Sequence, residues 1–412
     1  MQTAASGEWR RGWPFVALTA LGLTCTPTTL PIYTLGVFVP QFEATFGWSR
    51  GEIQTAILFS TGLAVVCSPL AGWMVRRWGI RDTILPGLVG LAVAFLLAAG
   101  IGGSLWQLYG VYALMSLLGA GAGAVGWTSL IAGNFDKARG LALGIGLSGT
   151  GLCSIMMPAI AAASIALWGW RGAYLALGAF CLLIVLPICW LVLPRDRRRG
   201  PIVPGPLAGA SGLDVSEAVR SPRFWQLGLS TFAIYAVLGG TIPNLVPAFT
   251  DAGLSMAEAA SIMGIFGMTV IGGRIAVGAL VDKFWAPAVA ALVMVPAAAA
   301  CLIIGSGGSY ASFALAAAML GIATGTELDV LSYLVARYFG VADYPRIYAR
   351  AYIFVAAASG TAPLLFGYIR DATGSYSLPM QVSAALLGVG ALGLLMLGRY
   401  PDWHETRLSA AA

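Results

Sequence analysis

Residues 269–284 read TVIGGRIAVGALVDKF. Two features of this stretch organise the rest of the chain. Arg274 stands in a run of glycine, threonine and aliphatic residues, and Gly278 is followed four residues on by the charged pair Asp282 and Lys283. The second feature occurs twice. In GWMVRRWG (72–79), Gly72 precedes Arg76 and Arg77 at the same spacing, and Gly72 and Gly278 are 206 residues apart. Gly47 of FGWS and Gly253 of AGLS are also 206 apart. NFDKARG (134–140) is answered by RYFGVADYPR (337–346) at a slightly different offset. Weak repetition of this length points to two related halves that rock about a central site.

The composition sets the solvent. Of 412 residues 58% are hydrophobic and only 10% charged, whereas a soluble domain is nearer a quarter charged. A spanning helix needs about 20 mostly apolar residues. Twelve such runs are expected, at 13–40, 53–75, 83–102, 105–134, 140–167, 172–194, 224–248, 257–281, 287–306, 309–336, 347–369 and 377–398. The expected fold is therefore an all-α membrane protein, with twelve transmembrane helices in two pseudo-symmetric six-helix bundles. The bundles are expected at 1–194 and 224–400, with a basic, Pro/Gly-rich linker at 195–223 and a tail at 401–412. The run beginning at Trp13 is too long for a signal-peptide core and reads as the first spanning helix.

Of 23 Lys and Arg, Arg50, Arg171 and Arg370 fall in one set of loops, Arg274 is inside a helix, and the other 19 fall at the termini or in the opposite loops. Positive loops stay cytoplasmic. Both termini are expected inside, in a plasma membrane such as a bacterial inner membrane. The net charge of +6 then reflects this bias and contact with anionic lipid, not nucleic acid. All six Cys lie in apolar runs without metal-ligand spacing, and the one histidine, His404, is in the tail. No metal or other cofactor is expected. GAGAG (119–123) follows no strand and sits inside an expected spanning helix, where it serves close packing rather than a dinucleotide. No Walker motif is present, so nucleotide-driven transport is excluded, and no nucleophile, base or metal constellation suggests an enzyme.

Twelve helices, a long basic central loop and the G-x-x-x-[charged]-[basic]-x-G pattern after helices two and eight resemble the major facilitator superfamily. More narrowly, YTLGVF…FGWSR (33–50), NFDKARGLALGIGLSGTG (134–151) and RYFG (337–340) resemble the branch of monocarboxylate transporters and oxalate–formate antiporters. The resemblance spans essentially the whole chain. It implies a secondary transporter with an arginine in helix eight that binds a substrate carboxylate, here Arg274. There are departures. Animal relatives carry an aspartate one turn before that arginine, where this chain has Val270, and a lysine in helix one, best matched by Tyr33. The oxalate antiporter's second cation, in helix eleven, has no counterpart near Val355.

The residues themselves support this reading. A guanidinium in a spanning helix faces a cavity or a partner, and it holds a carboxylate through two parallel hydrogen bonds. The alternatives are an arginine snorkelling to the interface or one paired permanently with an acid of helix ten. GTELDVLSYLVARYFG (325–340) supplies the acids: Glu327 and Asp329 are the carboxylates buried well inside an expected helix. Two residues apart is about 200° of rotation, so both are not expected to face one cavity. One of them either loads a proton or pairs with Arg274; the bland alternative is a static ion-pair network. Asp329, Tyr333 and Arg337 share a helix face.

Tyr33, Asn244 and Trp127 are further candidate substrate contacts. Each has an alternative: an interfacial anchor for Tyr33, an extracellular gate for Asn244, packing for Trp127. Gly72, Arg76, Arg77, Gly278, Asp282, Lys283 and Arg337 are expected to gate the cytoplasmic end. Arg76 stands where the superfamily motif usually has an aspartate, which Asp282 retains in the second half. The function expected is transport of a small organic anion, a monocarboxylate, by H⁺ symport or anion exchange. A proton-coupled exporter of drugs or other hydrophobic compounds is the rival, disfavoured because residues 140–160 lack a G-P pair.

Overall fold

The computed structural model describes residues 2–132, 134–135, 139–194, 212–281, 283–340 and 343–401, and omits the side chains of residues 2–7, Arg76, 132, 139, 140 and 345. Asp282, His404, most of the linker and the tail after 401 lie outside the described residues. The described chain is helical throughout, apart from an isolated bridge between Gly212 and Gly340.

Every expected apolar run falls on helix, with breaks where the local chemistry demands them. The first run carries α1 (Gln2–Leu23) and α2 (Thr29–Phe46), parted around Pro27, whose ring cannot continue the hydrogen-bond ladder. The second carries α3 (Arg50–Ile57), a π-turn at Leu58–Gly62 and α4 (Ala64–Trp78). The start of α3 is fixed by a capping box: Ser49 accepts from the Glu52 amide and Glu52 accepts from the Ser49 amide. Next come α5 (Ile80–Ala98), α6 (Leu105–Leu118) and α7 (Ala124–Ala132). GAGAG does not continue a helix as expected. Ala120–Ala122 forms a 3₁₀ turn and the span bends by 60° there. Its packing role stands, since Gly121 lies against the Thr83 carbonyl.

After α8 (Arg139–Leu147), α9 (Gly149–Phe180) passes through Gly169 at φ 69°, a conformation that suits glycine. The sixth run continues through a π-turn at Cys181–Val185 into α10 (Leu186–Val192). The stretch Leu141–Val192 has 52 residues, about 78 Å of helix, enough for two crossings of a roughly 30 Å hydrocarbon core. The linker holds the short α11 (Val215–Arg220), and the second half follows as α12 (Pro222–Asp251), α13 (Met256–Val281), α14 (Ala286–Ser306), α15 (Tyr310–Phe339), α16 (Tyr344–Thr373) and α17 (Ser377–Leu395). Among the described residues nine helical stretches are long and apolar enough to cross a membrane, ten when the bent pair counts as one.

The N-terminal and C-terminal halves meet along α2 with α12, α3 with α16, and α9 with α13. Small residues bring the backbones together: Gly36 abuts the Pro243 carbonyl, Gly51 abuts Gly367, and Gly151 abuts the Gly267 carbonyl. The end where α1 starts and where Arg77, Arg81, Arg220, Arg223, Lys283 and Arg337 lie is the basic end. There α8 packs on α1, α7 and α9 of its own half.

Candidate functional site

The site grows from the contact between α13 and α15. Gly273 faces Ile322, where a β-carbon would stand 2.7 Å from the Ile322 Cα. Gly325 lies against the Val270 carbonyl, at the position where relatives are expected to carry aspartate. Gly273 rather than Gly272 makes the close approach, since nothing lies near Gly272. That approach sets Arg274 directly against the α15 backbone. Its Nε donates to the Gly325 carbonyl at 2.9 Å and lies 3.4 Å from Asp329 Oδ2. Arg274 is only 7% exposed, and its Nη1 is buried without a partner.

Arg274 is seven residues from the end of α13, about 10 Å along the axis, and Asp329 is ten from the end of α15, about 15 Å. Both therefore sit deep in a 30 Å core. The Asp329 side chain is nevertheless 35% exposed. A charged group at that depth is expected to face a partner or water rather than lipid, and Arg274 is that partner here.

Glu327 is turned elsewhere. It is buried, its Oε1 lacks a partner, and its neighbour is the Tyr235 side chain of α12. The two acids thus take separate faces, as expected, and Asp329 is the one paired with Arg274. Tyr33 of α2 brings the other half in: its ring lies 6.2 Å from that of Phe266 on α13, and its hydroxyl is close enough to feel both Arg274 and Glu327. The Arg274–Asp329 pair thus lies near the seam, with Tyr33 of the other half and Glu327 within electrostatic reach of Arg274.

The other candidates lie apart. Trp127 is fully buried, packed on Gly22, with its indole N–H donating to the Ala122 carbonyl at 2.9 Å. Asn244 sits at the end opposite the basic one, where its Oδ1 accepts from Gln54 at 3.3 Å and Tyr376 at 3.1 Å, and its Nδ2 donates to Gly240. At the basic end, Arg77 and Lys283 are exposed, Gly72 and Gly278 are half-buried, and Arg337 lies 4.5 Å over the Tyr400 ring. Asp282 and the Arg76 side chain lie outside the described residues.

A second cluster was not anticipated from the sequence. Arg50, at the far end of the seam and 5% exposed, uses its whole guanidinium. Nε donates to Glu43 at 2.7 Å, Nη1 to Asp251 at 2.7 Å and Tyr376 at 3.2 Å, and Nη2 to Glu43 at 3.1 Å and Asp251 at 2.7 Å. All five N–H donors are engaged. Asp371 caps the start of α3, accepting from the Arg50 and Gly51 amides at 3.2 and 2.8 Å, and Arg370 adds a pair to Asp251 at 3.0 Å. Acids from α12 and α16 thereby clasp an arginine and a helix N-terminus of the other half. The clasp shuts the far end. The only hint in the sequence was that Arg50 and Arg370 stand in loops otherwise poor in basic residues.

Comparison with known proteins agrees with this architecture. The Major Facilitator Superfamily profile matches residues 16–327. Monocarboxylate transporter 11 of Homo sapiens is 27% identical over 95% of this chain and 84% of its own length. Monocarboxylate transporter 13 of Bos taurus is 26% identical over 89% and 85%, and monocarboxylate transporter 12 of Xenopus laevis is 24% identical over 68% and 64%. With apolar spanning helices, two halves meeting along a seam and a profile match over most of its length, the chain is a multi-pass membrane protein that belongs to the major facilitator superfamily of transporters.

Proposed function

We propose that the chain carries a small organic anion, a monocarboxylate, together with a proton, by alternating access. The observation that carries the reading is the buried Arg274 guanidinium, whose Nη1 has no partner in the seam between the halves. An unpaired buried donor is costly, and a carboxylate is the acceptor that fits a guanidinium fork. The relatives named monocarboxylate transporters support the same substrate class. The rocking units are the halves 1–194 and 224–400, joined by 195–223. The basic end faces the cytoplasm of a plasma membrane, such as a bacterial inner membrane, so the clasp closes the outer side.

Charge balance favours proton symport over anion exchange. One guanidinium is paired with Asp329 and lies within electrostatic reach of a second carboxylate, Glu327. Adding a substrate carboxylate without a proton leaves two uncompensated negative charges in a poorly solvated seam, a severe cost. Asp329 is the exchangeable partner, released from Arg274 when substrate binds. Glu327, with a free oxygen, carries the proton. Gly72, Arg77, Gly278, Asp282, Lys283 and Arg337 close the cytoplasmic end in the opposite state, and Asn244 belongs to the outer closure.

The test is uptake of a panel of labelled carboxylates into proteoliposomes under an imposed pH gradient. Acidifying the outside is expected to accelerate uptake, each pH unit adding about 1.4 kcal/mol of drive. In Glu327→Gln that acceleration is expected to vanish while counter-anion exchange persists. Wild-type uptake stimulated only by internal anion would select exchange, and efflux of hydrophobic compounds without carboxylate uptake would select the exporter.

A further inference from the structure

Tyr235 of α12 presents its hydroxyl to the buried Glu327 carboxyl, and the two side chains line one small pocket between α12, α14 and α15. α14 brings only Ala290 and Met294 to that pocket. The other titratable groups within reach of Glu327 are Arg274 on α13 and Tyr33 on α2. Tyr235 also has a second side. α12 and α16 run parallel, since Gly228 abuts Phe354 and Gly239 abuts Ser359. Tyr235 stands one turn before Gly239, which sets it within about a turn of Tyr352. Tyr344, Tyr348 and Tyr352 follow one another at each turn of α16 on a single face, their ring centroids 5.7 and 6.3 Å apart. Tyr348, Tyr352 and Asp329 lie within electrostatic reach of Tyr235. Tyr344, at the start of α16 and so nearest the basic end, neighbours the Ser332 hydroxyl. All three rings of the α16 face are half-buried. Phenylalanine would fill the same space, and a hydroxyl taken into a spanning bundle is costly unless it has a partner.

We infer that Tyr235 is a proton-relay residue, its hydroxyl carrying the proton between Glu327 and the tyrosine face of α16 that leads to the basic end. The inference rests on the reading of Glu327 as the proton carrier. A tyrosine oxygen donates one hydrogen bond and accepts others at once. In release, protonated Glu327 gives its proton to the Tyr235 oxygen while the Tyr235 hydroxyl gives its own to a water or a tyrosine hydroxyl on the α16 side. One O–H bond forms and one breaks at Tyr235, so the ring stays neutral and Glu327 is left as the carboxylate. Loading from the basic end is the reverse. Ser332 and Tyr344 stand at the outlet, and Asp329 keeps its pairing with Arg274.

Tyr235→Phe in the full-length protein tests this, because it keeps the ring and removes the hydroxyl. In proteoliposomes its pH-gradient-driven carboxylate uptake is expected to fall at least about tenfold, below the roughly 100-fold that a positioned proton donor can supply. Counter-anion exchange, in which the loaded carrier keeps its proton, is expected to persist at about half the wild-type rate or more. Tyr348→Phe combined with Tyr352→Phe is expected to lower gradient-driven uptake at least about threefold, again with exchange retained. Gradient-driven uptake by Tyr235→Phe within about twofold of wild type overturns the relay. An equal loss of uptake and exchange also overturns it, since that is the mark of a packing role. Both results leave Glu327 as the carrier. A full response to the pH gradient in Glu327→Gln overturns the underlying reading itself.

Discussion

Arg274→Gln is expected to lower carboxylate uptake by roughly 100-fold, about 3 kcal/mol, the upper range for hydrogen bonds to charged groups. Glutamine keeps an amide donor for the Gly325 carbonyl, which Arg274 Nε now serves at 2.9 Å. It also leaves the glycine contacts between α13 and α15 untouched. The fold is therefore expected to persist while the charge and the fork disappear. Arg274→Lys separates these two contributions. It restores the charge as a point rather than a planar fork, so its uptake is expected between wild type and glutamine. Uptake by Arg274→Gln within about threefold of wild type would show that the guanidinium does not hold the anion, since an ion pair worth so little is the surface kind.

The second large effect concerns the far end. Arg50→Ala removes every partner that the guanidinium gives Glu43, Asp251 and Tyr376. Losing one member of a buried, hydrogen-bonded charge cluster costs about 3–5 kcal/mol. In this protein the loss falls on the state with the far end shut, because the acids of α12 and α16 reach Arg50 only when the halves meet there. The population is expected to move by two orders of magnitude or more toward the state open at the far end. Spin labels at Ala44 and Ala252, exposed on opposite sides of the closure, read this as a new, longer distance. The six native cysteines are all buried, so labelling is selective. An unchanged distance distribution in Arg50→Ala would remove the clasp from the account.

How much was legible beforehand depends on the range of the interaction. The apolar runs and the 206-residue repeat are local signals, and the helices follow them. Arg274 was legible because a charge in an apolar run is conspicuous. The Arg50 clasp was not: Glu43, Asp251, Asp371 and Tyr376 are separated from one another by up to more than 300 positions, and each alone is an unremarkable loop residue. The choice between Glu327 and Asp329 was equally closed to the sequence. A 200° rotation says that they part but not which one turns to Arg274, and that depends on Gly273 and Gly325 setting the rotation of α15 on α13. The bend at GAGAG was missed because glycines that permit close packing also permit a break. Trp127 looked like a possible cavity wall because its partner, Gly22, lies more than 100 residues away.

The central claim is that a carboxylate, and not the rest of the molecule, is what Arg274 recognises. It is tested most directly by calorimetric binding of the best-transported carboxylate of the panel and of its primary amide, which has nearly the same shape and no charge. The account predicts that the wild type binds the acid about 100-fold more tightly than the amide and that Arg274→Gln binds the two alike. Equal affinity of the wild type for acid and amide would contradict it.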